Sequence, residues 1–321
     1  MVDSPGRITL WGVEVFVATA EEGSISAAAR RLGASASAVS QQLTNLEAAV
    51  GATLLVRNTR PIALTPAGEI FRRRAGNILN EAALARAELA MSDMAALTRF
   101  RLGMIEDFET DVTPRLLTKL AGEMKGCQFL LETGASHYLY DQLDARALDV
   151  IVAADMGGEA DWMEVHPLLS EGFVVAAPKG TVDRDRPVLP QLQALPLVHY
   201  TTRHHMGRIL SSHLARQNLT LAHRFELDSY HAILALVAQG TGWAILTPLA
   251  LMRARRFADQ FDVFDLPFEP LSRRISLVAR KGILQDMPER VAEELKPVLQ
   301  HHVVEPAVQA YPFMQGVLEI L

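Results

Sequence analysis

Length, composition and charge place this chain among ordinary globular proteins. It has 321 residues, of which 49% are hydrophobic and 21% are charged, and its formal net charge is −6. These values predict two or three packed domains and exclude a disordered or strongly basic chain. The N-terminal segment lacks the apolar run of a signal peptide, and Gln239 and Gly240 interrupt the most apolar stretch, 233–251. We therefore expect a cytoplasmic protein with no membrane partner.

Residues 24–51 have the pattern of two short helices joined by a tight turn. Ser24 and Ser35 are typical N-cap residues, and Gly33 and Gly51 can adopt the left-handed conformation that ends a helix. Val39 is spaced to fill the angle between the two helices. The pattern predicts a helix-turn-helix, a common DNA-reading motif. The apolar stripe of the first helix consists of Ile25, Ala28, Ala29 and Leu32.

The second helix of this pair has one apolar face and one polar, uncharged face. Its apolar residues recur at helical spacing, so the residues between them point away from the core. Gln can form two hydrogen bonds with adenine in the major groove, and Ser and Thr can reach several base edges. The alternative is an ordinary solvated helix face. The apolar set is Val39, Leu43, Leu46 and Val50, and the predicted DNA contacts are Ser35, Ala36, Ser37, Ser40, Gln41 and Thr44.

Residues 53–64 predict two short strands around the polar turn 57–61, as in the wing of a winged helix-turn-helix. Arginines in such a turn suit contacts with phosphates or with the minor groove. Residues 1–99 carry ten Arg and no Lys against nine acidic residues, so a strong basic patch is absent. We expect DNA binding to depend on dimerisation and on DNA shape. The predicted arginine contacts are Arg30, Arg31, Arg57 and Arg60.

A long helix is predicted to follow the wing. Thr65 and Pro66 form a strong helix start, and the helix is expected to run to about Leu97, a length of roughly 45 Å. Apolar residues along it form a narrow seam that suits pairing with a second helix. The seam predicts a dimerisation helix, and the alternative is a helix packed on its own domain. Its members are Phe71, Ala75, Ile78, Ala82, Ala85 and Leu89.

Several short motifs in this region resemble the LysR family of transcriptional regulators. They are Ala-Ala-Arg-Arg-Leu at 28–32, Ser-Ala-Val-Ser at 37–40, Leu-Glu at 46–47 and Leu-Thr-Pro-Ala-Gly-Glu at 64–69. Gln41 stands where family members often have Arg, and Leu55 stands where Phe is usual. The resemblance covers essentially the whole chain. It implies double-stranded DNA, a small-molecule effector and a homodimer or homotetramer as partners, with RNA polymerase added if the protein is an activator.

Beyond residue 98 the pattern changes to alternating strands and helices, which predicts a largely parallel sheet. The number of elements suits two small α/β lobes, which the chain would connect by two crossings and which would enclose a cleft. Predicted strands are 100–105, 128–132, 150–153, 173–177, 197–200, 224–227, 242–246 and 274–279. Predicted helices are 113–124, 137–145, 204–217, 229–239, 248–255 and 288–301.

These elements define the predicted fold class, which is α/β. An N-terminal winged helix-turn-helix plus a long linker helix precedes a two-lobed regulatory domain that, by the family resemblance, is similar to a periplasmic binding protein. The predicted domains are 1–66 for DNA binding, 67–97 for the linker helix and 98–303 for effector binding, with the second lobe at about 173–272. A C-terminal extension, 304–321, is apolar enough to pack on the regulatory lobes or on a neighbouring subunit.

The resemblance, together with the rule that ligands lie beyond the carboxyl ends of parallel strands, predicts where an effector binds. Threonines before a helix suggest a carboxylate or phosphate, whereas paired acids suggest a positive group. A zwitterion such as an amino acid satisfies both. The alternative for Asp107, Thr202 and Ser229 is that they cap helices. The predicted lining is Glu106, Asp107, Gly134, Ala135, Ser136, Tyr200, Thr201, Thr202, Asp228 and Ser229.

Cysteine and histidine usage predicts no metal and no cofactor. The single cysteine, Cys127, excludes an internal disulfide, and the apolar residues 129–131 after it favour a buried structural thiol over a redox sensor. His204 and His205 are adjacent and cannot easily share one metal from a helix. No Gly-rich phosphate loop, nucleophile elbow or HExxH motif is present, so we expect no enzyme. The alternative is an enzyme or solute-binding protein on residues 100–300, with an N-terminal module for protein interaction.

Overall fold

The computed structural model describes residues 7–89, 97, 99–158 and 160–321. They fall into two compact units that divide between Arg99 and Phe100. Within the described ranges, none of the helices combines the length and the apolar character that crossing a bilayer requires. The predicted linker segment 90–96 and the segment 1–6 lie outside the described residues.

The N-terminal unit begins with three helices, each of which starts at a side-chain cap. They are α1 (Leu10–Glu22), α2 (Ile25–Arg31) and α3 (Ala36–Val50). The hydroxyl of Ser24 accepts from the N–H of Ala27 at 3.4 Å, and the hydroxyl of Ser35 accepts from the N–H of Ala38 at 3.2 Å. Gly33 and Gly51 adopt left-handed φ angles of 62° and 73°. The helix-turn-helix prediction is confirmed.

The core of this unit holds α3 in a fixed orientation. Val39 and Leu43 are fully buried and pack in one cluster with Phe16 of α1 and Ala29 of α2. Because these residues occupy one face of α3, the opposite face is left outside the core.

The wing consists of two short antiparallel strands, β1 (Leu55–Val56) and β2 (Ala63–Leu64). The carboxylate of Glu47 on α3 accepts from the N–H groups of Leu54 and Leu55 at 2.8 and 3.1 Å. The N–H of Ile62 donates to the carbonyl of Gly23 at 2.8 Å. These bonds attach the wing to α3 and to the turn between α1 and α2.

Helix α4 (Pro66–Leu89) follows the wing and packs first on its own unit. Phe71 contacts Phe16 edge-on, with ring centroids 5.2 Å apart, and Ala75 is fully buried in the same core. Packing on the helix's own domain therefore uses these two positions of the predicted seam, and pairing of α4 with a second helix stays a prediction. Ile78 is 38% exposed, and Ile70 beside the seam is 59% exposed.

The second unit contains a six-stranded mixed sheet in the order β13-β6-β12-β5-β3-β4. The strands are β3 (Arg99–Met104), β4 (Gln128–Thr133), β5 (Val150–Ala154), β6 (Met163–Gly172), β12 (Ser272–Arg280) and β13 (Leu318–Ile320). The associated helices are α5 (Thr113–Glu123), α6 (Ser136–Asp144) and α11 (Met287–Leu299). Strands β3 and β5 are parallel, whereas β12 is antiparallel to both β5 and β6.

A second lobe contains a three-stranded antiparallel sheet and a parallel pair. The sheet has the order β10-β7-β11, with β7 (Val174–Pro178), β10 (Ala244–Leu246) and β11 (Phe261–Asp265). The parallel pair is β8 (Leu197–Tyr200) and β9 (His223–Leu227). The helices are α7 (Val188–Gln193), α8 (His205–Arg216), α9 (Tyr230–Ala238) and α10 (Pro248–Arg253).

The two crossings between the lobes lie side by side. The N–H of Phe173, just after β6, donates to the carbonyl of Leu271, just before β12, at 2.8 Å. The prediction of a largely parallel sheet is wrong. The predicted strands β12 and β10 run antiparallel to β5 and β7, and the strands that were not predicted, β6, β11 and β13, add further antiparallel pairings. The C-terminal segment forms α12 (Glu305–Ala310) and β13, which pairs with β6. It therefore packs on the regulatory lobes.

Candidate DNA-reading surface and effector cavity

The outward face of α3 carries short polar side chains and no charge. Ser37, Gln41 and Thr44 are exposed, as are Ser35 and Ala36 before them, whereas Ser40 is half-buried. The Nε2 of Gln41 donates to Oδ1 of Asn45 at 2.9 Å. Asn45 was not among the predicted contacts, although its position one turn after Gln41 could have indicated it.

The four predicted arginine contacts have two different environments. Arg31 pairs with Glu21 at 2.7 Å and Glu22 at 3.3 Å, and the hydrogen bond to Glu21 raises the pKa of Arg31. Arg57 pairs with Glu47 at 2.7 Å, and through that carboxylate it supports the wing. Arg30 and Arg60 are exposed and form no ion pair with any residue that the structure describes.

A cavity of about 110 Å³ lies within the second unit. It is lined by ends of strands and starts of helices from both lobes. Seven of the ten predicted lining residues surround it: Glu106, Asp107, Gly134, Ala135, Ser136, Tyr200 and Asp228. Sequence reasoning missed several others that also line it: Ile105, His137, Ala154, Asp155, Phe173, His204, His205, Met206, Ile209, Tyr230 and Arg273.

Three predicted lining residues are not part of the cavity wall. Thr201 is buried and donates from Oγ1 to Glu226 at 2.7 Å, and the N–H of Thr202 donates to the same carboxylate at 2.9 Å. The hydrogen bond from Thr201, followed by that from Thr202, lowers the pKa of Glu226. Ser229 precedes α9 without a side-chain cap and lies next to two residues that do line the cavity, Asp228 and Tyr230.

A buried ion triad connects the cavity to the crossings between the lobes. Arg273, on the returning strand β12, pairs with Asp107 at 3.0 Å and with Glu171 at 2.6 Å. Glu171 is fully buried at the end of β6 and also accepts from the N–H of Leu249 at 3.1 Å. Burial opposes the charge of Arg273, but Glu171 and Asp107 outweigh it and raise the pKa of Arg273.

Helices α6, α8 and α9 begin at the cavity without a capping side chain. Their first N–H groups have no partner within their own helix, because the first four N–H groups of any helix lack one. The starts of α6 and α8 come together at His137 and His204, whose ring centroids are 5.7 Å apart. Burial, followed by the charge of Arg208, lowers the pKa of His205. No cluster of metal-binding side chains is present in the part of the chain that the structure describes.

A DNA-reading helix beside a wing, followed by a two-lobed unit with a cavity between the lobes, defines a class of ligand-responsive DNA-binding proteins. Residues 10–69 match the bacterial regulatory helix-turn-helix protein family of lysR type, and residues 96–299 match the LysR substrate binding domain. The chain belongs to the LysR family of DNA-binding transcriptional regulators.

Two curated relatives illustrate the similarity. A probable hydrogen peroxide-inducible genes activator of Mycobacterium avium is 33% identical over 180 residues, which is 56% of this chain and 58% of that protein. The hydrogen peroxide-inducible genes activator of Dickeya chrysanthemi is 25% identical over 303 residues, 93% of this chain and 98% of that protein.

Two solved structures have a similar fold. A cysteine mutant of Corynebacterium glutamicum OxyR has a TM-score of 0.65 at 24% identity and covers 95% of this chain and 96% of its own. A probable transcriptional regulator from Pseudomonas aeruginosa has a TM-score of 0.65 at 20% identity. The match covers 91% of this chain and 97% of that chain.

Proposed function

We propose that this protein is a cytoplasmic, sequence-specific transcriptional regulator that reads an inverted repeat through α3 and responds to a small molecule in the cavity. The observation that carries the proposal is the exposed, uncharged polar face of α3 beside a wing that is hydrogen-bonded to the same helix. Such a face can reach base edges in the major groove, where each base pair has its own pattern of donors and acceptors.

Base reading is assigned to Gln41, with Ser37 and Thr44 on the same exposed face. The Gln41 amide is already oriented by Asn45 at 2.9 Å, so little side-chain freedom remains to be lost on binding. Ser35, Ala36 and Ser40 border this surface. Arg30 and Arg60 are the phosphate contacts in this proposal, because no carboxylate among the described residues pairs with either of them.

Dimerisation supports the reading of two half-sites, since each copy of the chain presents one reading helix. Large apolar residues remain exposed on α4, where Ile70 is 59% and Ile78 is 38% exposed. Exposed apolar residues on one helix suit an interface between copies of the chain. The proposed assembly is a homodimer or a homotetramer, and contact with RNA polymerase is proposed if the protein activates transcription.

Effector control is assigned to the cavity and not to peroxide chemistry at Cys127. The two curated relatives above are named for hydrogen peroxide. Peroxide reacts with the thiolate form of a cysteine and not with the protonated thiol. Cys127 is half-buried, and burial, followed by the charge of Asp149, raises its pKa to about 11. The thiol is therefore protonated at neutral pH. No catalytic role is assigned to any residue.

The test is the selection of bound fragments from a random duplex library by the full-length protein at several salt concentrations. An enriched inverted repeat is expected. Weak retention that depends steeply on salt and shows no enrichment would contradict sequence reading and leave only phosphate binding.

A matched pair of arginine variants tests the phosphate contacts on the selected sequence. Arg60→Ala should lower the slope of log binding constant against log salt by about 1, as expected for one lost phosphate contact. Arg57→Ala should change this slope less, because Arg57 is paired with Glu47 at 2.7 Å. Equal slope changes in the two variants would refute the assignment.

A further inference from the structure

Asn45 lies on the exposed face of α3, beside the residues to which base reading is assigned. Its side chain is exposed, as are those of Gln41 and Thr44. At 3.6 residues per turn, Asn45 lies about 40° round the helix from Gln41, and Thr44 lies about 60° from Gln41 on the other side. A docking geometry that brings Gln41 to a base edge therefore brings Asn45 close to the DNA as well.

The hydrogen bonds of Thr44 and Asn45 leave these two residues with different donors for DNA. The hydroxyl of Thr44 donates its one hydrogen to the carbonyl of Ser40 at 3.1 Å and accepts from Arg57 at 3.3 Å. Among the described residues, Nδ2 of Asn45 donates to no acceptor. A side-chain amide carries two N–H groups, so Asn45 presents two donors at this face. These donors, next to a base-reading glutamine, indicate a second contact with DNA.

The hydrogen bond between the two amides determines which group each of them offers. Nε2 of Gln41 donates to Oδ1 of Asn45 at 2.9 Å. The oxygen of Asn45 therefore faces Gln41, and the nitrogen of the same amide is left for another partner. Gln41 keeps one N–H and its own oxygen, which are the donor and the acceptor that adenine requires. Gln41 thus donates and accepts, whereas Asn45 only donates.

A group that only donates distinguishes two kinds of base. In the major groove, guanine and thymine present a keto oxygen where adenine and cytosine present an amino group. The amino group is itself a donor, so Asn45 can bond at this position to a keto base and not to an amino base. The bonded atoms of Gln41 and Asn45 lie 2.9 Å apart, close to the rise of about 3.4 Å between base pairs. The two amides therefore suit neighbouring base pairs.

We propose that Asn45 determines specificity: its Nδ2 donates to the keto oxygen of guanine or thymine in the base pair next to the one that Gln41 reads. This inference rests on the proposed sequence reading by α3, and it adds a residue and a class of base. Every Watson–Crick pair contains one keto base and one amino base. The contact therefore distinguishes a base pair from the same pair with its two strands exchanged.

Two other roles for Asn45 have different consequences. Asn45 and Arg7 both line a depression between α3 and the start of α1, where a DNA phosphate would accept from them irrespective of sequence. Alternatively, Asn45 orients Gln41 and makes no contact with DNA. A phosphate contact predicts an equal loss of affinity for all sequences when Asn45 is changed. An orienting role predicts an effect confined to the base that Gln41 reads.

The test is Asn45→Asp in the full-length protein. Competition binding would use duplexes that carry each of the four base pairs at every position of the selected half-site. The aspartate still accepts from Gln41 but cannot donate, and a carboxylate accepts from the amino group of cytosine. At the position next to the one that Gln41→Ala relaxes, the preference should shift at least tenfold from the keto base toward the amino base. The preference at the Gln41 position should remain.

Gln42→Glu is the matched control, because it makes the same change from amide to carboxylate on the same helix. Gln42 is half-buried and lies about 100° round α3 from Gln41. The variant should lower affinity for all duplexes alike and leave every preference unchanged. If Asn45→Asp shows only the same uniform loss, Asn45 contacts a phosphate and the proposal is overturned.

Asn45→Ala removes the donors without adding a charge, and it provides a second variant if the aspartate abolishes DNA binding. It should reduce the keto preference at the same position to less than twofold. A keto preference that survives in Asn45→Ala, or an effect restricted to the Gln41 position, would exclude Asn45 as a base contact.

The unmodified protein separates this inference from the proposed function. An enriched inverted repeat, with the preference next to the Gln41 position unchanged in Asn45→Asp and Asn45→Ala, would refute the Asn45 contact and leave the regulator intact. If the unmodified protein enriches no sequence, sequence reading and the Asn45 contact are refuted together.

Discussion

In the N-terminal unit, the hydroxyl group before each of the first three helices accepts from the N–H group three residues later in the chain. The cavity of the regulatory unit depends instead on ion pairs between residues far apart in the chain. Thr9, Ser24 and Ser35 cap α1, α2 and α3. In contrast, the Arg273 hydrogen bonds to Glu171 and Asp107 join residues 102 and 166 positions apart. The difference teaches that a DNA-reading surface can be built from local chemistry, while a ligand cavity between lobes cannot.

The largest expected effect comes from removing the long-range triad. Arg273→Met should lower the free energy of unfolding of the regulatory unit by about 3–5 kcal/mol, because Glu171 is left buried without its counterion. Arg274→Met is the matched control: its pair with Asp155 is 46% exposed on the arginine side, so the loss should be about 1 kcal/mol or less. Urea denaturation measures both. Similar small losses for the two variants would show that the long-range triad is not important for stability.

A smaller effect is expected at the DNA-reading surface. Gln41→Ala should relax the preference at one base pair by about 1–3 kcal/mol, since a bidentate contact with a base edge is lost. The neighbouring amide variant, Gln42→Ala, should leave the preference unchanged, because Gln42 is half-buried and points away from the reading face. Competition binding with single-base substitutions of the selected site measures both. Preferences unchanged at every position in Gln41→Ala would remove Gln41 from the reading set.

Substitution of an N-cap serine in each unit allows a direct comparison of how much the cap contributes to stability. Ser35→Ala removes a cap bond to Ala38 and should cost about 1 kcal/mol of stability. Ser229→Ala is the same substitution at the N-cap of α9, where the side chain makes no cap bond, and should cost much less. Equal losses in thermal or urea denaturation would contradict the contrast between locally capped and uncapped helices.

The smallest effect is a pH dependence confined to the regulatory unit. All ten histidines lie beyond residue 136, and burial is the main cause that lowers the pKa of His199, His205 and His231. Their unfolded pKa is about 6.5. The unfolded chain therefore binds more protons below that pH, and the stabilisation present above pH 6.5 is lost as the pH falls through the lowered values.

Denaturation at pH 7.5 and pH 5.5 should accordingly show a less stable regulatory unit at the lower pH. The N-terminal unit should change less through histidine, because it contains none. A regulatory unit that becomes more stable on acidification would contradict the direction of these pKa shifts.

The same contrast explains what could be predicted from the sequence. Ser24, Ser35 and the glycines at 33 and 51 mark helix ends through local chemistry, and the helix-turn-helix was predicted on that basis. Strand β6 was missed because its pattern is irregular, with Glu164, His166 and Pro167 among apolar residues. Strand β13 has only three residues, and β11 and β13 both depend on pairing with strands distant in the chain, β7 and β6.

Part of the cavity lining could also be predicted, because it follows directly from where the strands end. Residues that follow strands, such as Asp107, Ser136 and Asp228, line it as the sheet rule requires. Asp155 directly follows β5 and could have been identified by the same rule. Arg273 could not, because it lies near the start of β12 and only the crossing of the chain between lobes brings it to the cavity. Thr201 and Thr202 failed as lining residues because Glu226, on the neighbouring strand β9, binds both.

The amide pair on α3 has a consequence for the way a sequence is distinguished. The Nε2 of Gln41 carries two N–H groups, and only one of them is bonded to Asn45 at 2.9 Å, so the other N–H and the amide oxygen can bond to a base without breaking that contact. A matching base then adds hydrogen bonds to an amide that is already held in place, whereas a mismatched base leaves a desolvated amide group without a partner at a cost of about 1–3 kcal/mol. Selectivity at this position would arise both from attraction to the right sequence and from the rejection of wrong ones.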